Sequence, residues 1–300
     1  MSRPTRQTPA GRAYLDLQNQ ARRENRTTQE LLTLYVLERW LARLAASPHA
    51  SSFVLKGGML LAVFDARRPT ADADLLARNL ANDQATVAGR VNDIAQLTLT
   101  EDDGVTYLAE TITTQTIRDD ADYAGVRIAM DCDVATARVK LKLDINIGDP
   151  ITPAPAFVEL PSQLPGMPAV RILGYPIETV LAEKTSTAIA LGEANTRVRD
   201  YADLHVLTGR HSLRFDTVRA ALVATTRYRG VALRPLSEVA GQLGTLRQAS
   251  YEAFRRRLGS DDLPVAFSDV VASVIRFADP VIDAGPGSLT SWHRATREWR

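Results

Sequence analysis

The segment from residue 53 to residue 75 limits the possible folds of this chain more than any other. The apolar run Phe53–Leu55 is followed by Gly57-Gly58 and then by a helix-compatible run, Met59–Phe64. Asp72 and Asp74 then occupy alternate positions in a strand-like segment, so their side chains would lie on one face, about 7 Å apart. Glycines between a strand and a helix let a phosphate approach backbone N–H groups, and two such carboxylates suit a hard cation such as Mg²⁺. The segment therefore predicts a phosphate and metal site.

Each half of this pattern has an ordinary structural explanation when it occurs alone. A single Asp-x-Asp is usually a solvated strand end, and Gly-Gly is usually a turn. In this order and at this spacing, however, the two halves resemble the signature of the nucleotidyltransferase superfamily. The form Lys56-Gly57-Gly58 followed by Arg68-x-Thr70-x-Asp72-x-Asp74 resembles the AbiEii/MenT family, the nucleotidyltransferase-like toxins of bacterial type IV toxin–antitoxin systems.

A second pair of motifs lies more than a hundred residues downstream. The segments Glu178–Lys184 and Asn195–Leu204 are similar to the later motifs of the same family and occur in the same order. Asp200 and Asp203 are three residues apart, so they would be neighbours on one helical face. The alternative is an ion-paired helical face without a role in chemistry.

Composition excludes several classes of protein. The 300 residues are 45% hydrophobic and 24% charged, as expected of an ordinary soluble protein. The sequence contains no run of eighteen apolar residues, so no transmembrane helix is predicted. The polar N-terminus lacks the apolar core of a signal peptide. The single cysteine, Cys132, excludes an intramolecular disulfide and a cysteine-based zinc site. We therefore expect a cytoplasmic protein.

Periodicity predicts an α+β fold: a nucleotidyltransferase-like mixed β-sheet with flanking helices, followed by a mostly helical C-terminal half. The predicted domains are a catalytic core with N-terminal helices over residues 1–150, a proline-rich connection over 151–169 without a regular element, and a helical domain over 170–300. Predicted helices cover residues 10–22, 28–46, 82–97 and 177–191, with another opening at 195–204. Predicted strands cover residues 105–117, 126–134 and 139–147. The last stretch, 285–300, is expected to pack as a terminal helix or to offer tryptophans and arginines to RNA.

Asp144 is the candidate for a third carboxylate. In the strand-like run Val139–Ile147, apolar residues alternate with Lys140, Lys142, Asp144 and Asn146, which places Asp144 on a polar face. Nucleotidyltransferases often carry a third carboxylate on a later strand beside the first two. The alternative is an edge strand on which Asp144 pairs with its lysine neighbours.

The resemblance implies a role for each motif residue. One or two Mg²⁺ ions would be held by Asp72, Asp74 and Asp144. Nucleotide contacts would come from Lys56, Gly57, Gly58, Thr70, Arg197 and Asp203. Lys184 would reach the triphosphate, and Asp200 would orient Lys184 or assist at the acceptor. Many relatives have serine where this chain has Gly58, so Thr70 is the nearby residue that could supply a hydroxyl.

The resemblance also implies a reaction and its partners. Such toxins transfer a nucleotide from an NTP, here CTP or UTP, to the 3′ end of tRNA; this blocks translation, and a cognate antitoxin neutralises the toxin. The alternatives are nucleotidylation of a small molecule or protein side chain, and a catalytically silent nucleotide- or RNA-binding module. The intact Asp72 and Asp74 argue against silence, and the basic run Arg255-Arg256-Arg257 favours RNA as the acceptor.

Overall fold

The computed structural model describes residues 3–80, 83–119, 123–259, 262–283 and 289–300. These residues form two compact units. Unit 1 comprises Met1–Val63, Arg67–Gly148 and Ala156–Gly174, and unit 2 comprises Phe64–Ala66, Asp149–Pro155 and Tyr175–Arg300. This division differs from the expected domains, because residues 156–174 belong to unit 1.

Unit 1 is built on a seven-stranded mixed sheet with the strand order β3-β4-β5-β2-β1-β7-β6. Strands β2 and β5 are parallel, as are β1 and β7, and the other neighbouring strands are antiparallel. The strands are β1 Phe53–Lys56, β2 Ala73–Ala77, β3 Val105–Asp119, β4 Tyr123–Val134, β5 Ala137–Ile147, β6 Ala156–Leu160 and β7 Val170–Gly174. The predicted mixed sheet and α+β class are confirmed.

The helices of unit 1 begin at the polar residues that the sequence offers as N-caps. The side chains of Thr8, Thr27 and Asp83 each accept a backbone N–H of the first helical turn. The helices are α1 Pro9–Arg23, α2 Thr28–Ala46, the single-turn α3 Gly57–Leu60 and α4 Gln84–Ala95. The predicted helices over 10–22, 28–46 and 82–97 are confirmed within the described part of the chain, which does not include Asn82.

The alternation predicted for residues 139–147 is confirmed in β5. Val139, Leu141, Leu143 and Ile145 are buried, whereas the residues between them are partly or fully exposed. Cys132 on the neighbouring strand β4 is also buried, and burial raises the pKa of its thiol to about 12. The apolar side of these strands therefore faces the core, and the polar side is left for the charged residues described below.

The prediction that residues 151–169 form a connection without a regular element is wrong. Strand β6 lies within them and pairs with β7 at the edge of the sheet. Pro155 and Pro161 flank this strand without interrupting it, and proline is tolerated beside an edge strand. The high proline content thus marks the two ends of a strand and not a connection.

Unit 2 is mostly helical, as predicted for the C-terminal half. Its helices are α5 Ile177–Leu191, α6 Val198–Arg210, α7 Phe215–Tyr228, α8 Leu236–Val239, α9 Leu243–Leu246, α10 Gln248–Leu258 and α11 Phe267–Asp283. A small antiparallel sheet contains β8 Leu213–Arg214, β9 Ser291–His293 and β10 Glu298–Trp299. None of the described helices is both long and apolar enough to cross a membrane.

The expected terminal helix is wrong for the described residues 289–300, because β9 and β10 form there instead; residues 285–288 lie outside the described part of the chain. Trp292 is fully buried, and its ring meets Phe277 edge-on at 5.0 Å between centroids. Trp299 stacks on the same phenylalanine at 5.3 Å. Both indole N–H groups donate to backbone carbonyls, those of Thr208 and Phe277. These tryptophans are therefore core residues of unit 2 and not a stacking surface for RNA.

Candidate active site

Four charged side chains lie in one row across the sheet of unit 1. The register pairs Lys56 with Asp74, Asp74 with Asp144, and Asp144 with Arg127, on strands β1, β2, β5 and β4 respectively. Neighbouring strands lie roughly 4.8 Å apart, and directly paired residues point to the same face. The row therefore holds two adjacent carboxylates with a cation at each end. Asp144 lies beside Asp74, where the sequence prediction put it.

Asp74 lies against the glycine turn. A Cβ atom added to Gly57 would be 1.8 Å from a carboxylate oxygen of Asp74, and the φ angle of Gly57 is +65°. Only glycine meets both requirements. The backbone N–H of Gly58 donates to the Asp74 carboxylate. The turn thus positions Asp74, and at Gly58 the N–H that we expected to meet a phosphate already has an acceptor.

The Asp74 carboxylate ionises less readily than an ordinary aspartate. Burial raises its pKa to about 6, and the charges of Asp72 and Asp144 act in the same direction. Lys56, whose side chain is buried, and the Gly58 N–H oppose this shift only in part. Because carboxylates are crowded here, a bound cation would stabilise the ionised form of Asp74.

Asp72 precedes β2 by one residue and is held from the side by Thr70. The Thr70 hydroxyl lies 3.0 Å from Asp72 Oδ1 and 3.2 Å from the Asp72 carbonyl oxygen. A Cβ atom added to Gly58 would lie only 2.7 Å from the same hydroxyl oxygen. Thr70 therefore fills the space that a side chain at position 58 would need, and it places a hydroxyl between the glycine turn and Asp72.

Asp144 makes a two-bond ion pair with Arg127. The guanidinium donates Nε–H to Oδ1 at 2.7 Å and an Nη–H to Oδ2 at 2.6 Å. The alternative of an edge strand with lysine pairing is wrong, because β5 lies between β4 and β2 and Lys140 pairs with Asp131. Among the described residues, no three His, Cys, Asp or Glu side chains are already grouped to hold a metal ion.

A cleft opens beside the glycine turn, within unit 1. Gly58, Thr70, Arg68 and Leu160 line it, and it encloses about 250 Å³ including its open mouth. The guanidinium of Arg68 lies 3.5 Å from the place of a Cβ at Gly58. The cleft is therefore polar on the side of the turn and apolar on the side of β6.

The downstream motif residues form a separate cluster in unit 2. Lys184 on α5 donates to Asp200 at 2.6 Å and to Asp203 at 2.8 Å, both on α6. Burial opposes ionisation of Asp200, but the charge and hydrogen bond of Lys184, together with nearby arginines, outweigh it and lower the pKa. Arg197 is the N-cap residue of α6, and its backbone N–H donates to Asn195 at 2.7 Å. Both carboxylates thus converge on Lys184.

Arg127 is the site residue that the sequence prediction missed. The signal for it is present in the sequence, since two predicted strands meet at the short turn after Val134. The observed hairpin pairs Val134 with Ala137, and counting back along both strands brings Arg127 opposite Asp144. Recognising the turn as a tight hairpin would have been sufficient.

Comparison with known proteins finds a matching family and similar solved structures. The family model described as nucleotidyl transferase AbiEii toxin, type IV toxin–antitoxin system, matches residues 39–284. Similar solved structures include JHP933 from Helicobacter pylori and a second H. pylori protein described as a candidate nucleotidyltransferase, each 19% identical to this chain. They cover 76% of this chain and 95% and 97% of their own, with TM-scores of 0.42 and 0.39. No curated protein sequence matches the chain.

Proposed function

Because the chain belongs to the AbiEii family of nucleotidyltransferase toxins of type IV toxin–antitoxin systems, we propose that it transfers a nucleotide from CTP or UTP to the 3′ end of tRNA with the help of Mg²⁺. This modification would block translation in the cytoplasm until a cognate antitoxin neutralises the toxin. The observation that carries the proposal is the row in which Lys56, Asp74 and Asp144 lie side by side next to the Gly57-Gly58 turn.

The residues present fit a divalent cation. Asp72, Asp74 and Asp144 supply carboxylate oxygens, the ligands that Mg²⁺ prefers. Burial, and after it the charges of Asp72 and Asp144, raise the pKa of Asp74, and a bound cation would compensate those charges. We propose that Asp72 and Asp74 hold the ion and that Asp144 joins them. When bound, one or two Mg²⁺ ions would neutralise charge that develops on the phosphate oxygens.

The remaining motif residues would position the nucleotide. In the proposed reaction, the acceptor hydroxyl oxygen attacks the α-phosphorus, the bond from that phosphorus to the β-bridging oxygen breaks, and pyrophosphate leaves. Lys56 and the Gly57-Gly58 backbone would contact the β- and γ-phosphates, which requires the Gly58 N–H to exchange the Asp74 carboxylate for a phosphate oxygen. The Thr70 hydroxyl would lie beside them. Positioning and charge neutralisation are the main contributions that a protein makes to such a transfer.

We assign the unit 2 cluster to the same reaction. Lys184 is proposed to bind the triphosphate, since its ammonium is a compact point charge suited to phosphate. Asp200 would orient that ammonium or assist at the acceptor, and Arg197 and Asp203 are proposed to contact the nucleotide. These roles rest on the family motifs.

The deciding experiment supplies purified protein with each α-labelled NTP in turn, Mg²⁺ and total RNA. We expect label from CTP or UTP in the tRNA band, and no label when EDTA is present or when tRNA carries a periodate-oxidised 3′ end. Asp74→Asn should abolish labelling. Asp133→Asn, which changes an exposed carboxylate on β4 that pairs with Arg138, should not.

Each rival function predicts a different result in this assay. Label in protein or in a small molecule, with none in RNA, would identify a different acceptor. Label in tRNA with an oxidised 3′ end would refute end addition and leave the enzyme class intact. Nucleotide binding without transfer to any acceptor would favour a silent binding module.

The RNA acceptor can be tested separately through its charge. Arg256 and Arg257 in the last turn of α10 are exposed, whereas Arg255 donates to the Leu263 carbonyl. Phosphate contacts release counterions, so log affinity should fall with log salt by roughly 0.7 per contact on a single strand. Arg256→Glu with Arg257→Glu should flatten that slope and leave NTP affinity unchanged. The control, reversal of the exposed pair Arg22-Arg23 in α1, changes net charge equally; an equal effect there would refute a specific RNA surface.

A further inference from the structure

Arg127 occupies both oxygens of a carboxylate that the proposed metal site needs. Its guanidinium donates two hydrogen bonds to Asp144, one to each oxygen, at 2.7 and 2.6 Å. Such a fork is among the stronger side-chain ion pairs. The fork takes up one lone pair on each oxygen of Asp144, so a cation that binds this carboxylate competes with the guanidinium for it.

The position of Arg127 allows it to leave. Its side chain is 44% exposed, whereas that of Asp144 is 13% exposed. Arg127 lies at one end of the charged row, and the buried Lys56 lies at the other. If Arg127 moved away, the distance between the two carboxylates and Lys56 would not change. Without a replacement, however, the carboxylate of Asp144 would lose the guanidinium while lying beside Asp74, its register neighbour. A second cation arriving at these carboxylates would remove that difficulty.

From this geometry we infer that Arg127 is a positioning residue: it holds Asp144 in the metal-free protein and yields it to the divalent cation. The guanidinium and the cation then compete for one carboxylate. This inference rests on the proposed cation-dependent function and assigns a role to a residue outside the family motifs quoted above.

The chain supplies a matched control for this competition. Arg138 makes the same two-bond fork with Asp133, at 2.9 and 3.0 Å, on the same pair of strands. Asp133 is six residues from Arg127 along β4 and thus on the same face, roughly 20 Å away along the strand. Removal of the Arg138 fork should change the surface of the hairpin without affecting the charged row.

The experiment measures Mn²⁺ binding by electron paramagnetic resonance without nucleotide. Arg127→Gln should bind Mn²⁺ more tightly than the unmodified protein, on the order of fivefold, which is what loss of one partly exposed ion pair would release. Arg127→Lys, which keeps the charge but not the fork, should give a smaller gain. Arg138→Gln should bind as the unmodified protein does. Circular dichroism of each variant checks that the fold is retained.

A double-mutant cycle separates competition for Asp144 from general charge repulsion. In an Asp144→Asn background, Arg127→Gln should give no gain in Mn²⁺ affinity. A gain that persists there would overturn the inference, because Arg127 would then act only through its charge. Equal affinity of Arg127→Gln and the unmodified protein would overturn it too, while leaving the proposed function intact. Absence of Mn²⁺ binding in every variant would overturn the inference, and the RNA-labelling assay would then decide separately on the proposed function.

Discussion

Neutralising Asp74 should remove activity and at the same time stabilise the metal-free protein. Burial raises the pKa of Asp74 from 3.8 to about 6, and this net shift already includes the attraction of Lys56. An acid with a raised pKa in the folded state contributes stability below its unfolded pKa and loses that contribution as pH rises through the folded value. The unmodified protein should therefore be penalised above about pH 6, where Asp74 is ionised, and Asp74→Asn should not be.

The magnitude follows from the size of the shift. One pKa unit corresponds to about 1.4 kcal/mol, so a shift of about two units sets an upper bound of about 3 kcal/mol. Asparagine keeps an oxygen that can accept the Gly58 N–H. It leaves buried Lys56 with less negative charge nearby, but the net shift is upward, so burial and the repulsion from Asp72 and Asp144 together outweigh that attraction. We expect Asp74→Asn to raise the free energy of unfolding by about 1–3 kcal/mol at pH 7.5.

The measurement is urea unfolding in EDTA at several pH values from 4.5 to 8. The difference between Asp74→Asn and the unmodified protein should be small near pH 4.5, grow through pH 6 and then level off. Mg²⁺ should stabilise the unmodified protein by mass action and should not stabilise the variant. Two results would refute the claim that ionised Asp74 destabilises the folded protein: parallel curves of unfolding free energy against pH for the two proteins, or a variant that is less stable at pH 7.5. Asp133→Asn is the control for loss of a carboxylate outside the row.

Two further substitutions test the supports of the site. Gly57→Ala should reduce stability and activity more than Gly259→Ala does. Both glycines have a φ near +65°, but only at Gly57 would a Cβ atom clash with Asp74. Equal losses of melting temperature and of turnover in the two variants would refute the claim that this clash matters. Lys184→Met should destabilise unit 2 by about 3 kcal/mol, since it removes the cation on which two buried carboxylates converge, whereas Lys184→Arg should preserve the melting temperature and lose most transfer activity. Full transfer activity in Lys184→Arg would show that Lys184 contributes only a positive charge, which arginine can replace.

The parts of the fold that depend on local patterns could be predicted from the sequence. The alternation in β5 and the N-cap of α2 at Thr27 each follow from the residues themselves. Strand β6 could not be predicted in the same way. Its five residues, Ala156–Leu160, are too few to show a period, and the prolines around them suggested a connection. Its status as a strand comes from pairing with β7, which is a tertiary effect.

For the residues of the site, too, prediction from the sequence succeeds where local patterns are sufficient and fails where tertiary pairing decides. Asp72 and Asp74 are close in sequence, so their shared location needs only a strand and a turn. Asp144 could be placed beside them because the family implies a third carboxylate on a later strand. Arg127 carries no such motif, and its place depends on the register of a hairpin. A register is fixed by turn geometry, and a shift of one residue would turn Arg127 away from Asp144.

The charged row explains why stability and activity should oppose each other here. Lys56 and Arg127 balance Asp74 and Asp144, and Asp72 adds one further negative charge beside them. If the positive charges of the row fully balanced its negative charges, the protein would be more stable, but the row would not attract a divalent cation. Burial, together with this uncompensated charge, raises the pKa of Asp74, and Mg²⁺ is proposed to neutralise the charge. Substitutions that relieve it, at Asp72 or Asp74, should therefore give stable proteins without activity, which is a common relation between stability and function at active sites.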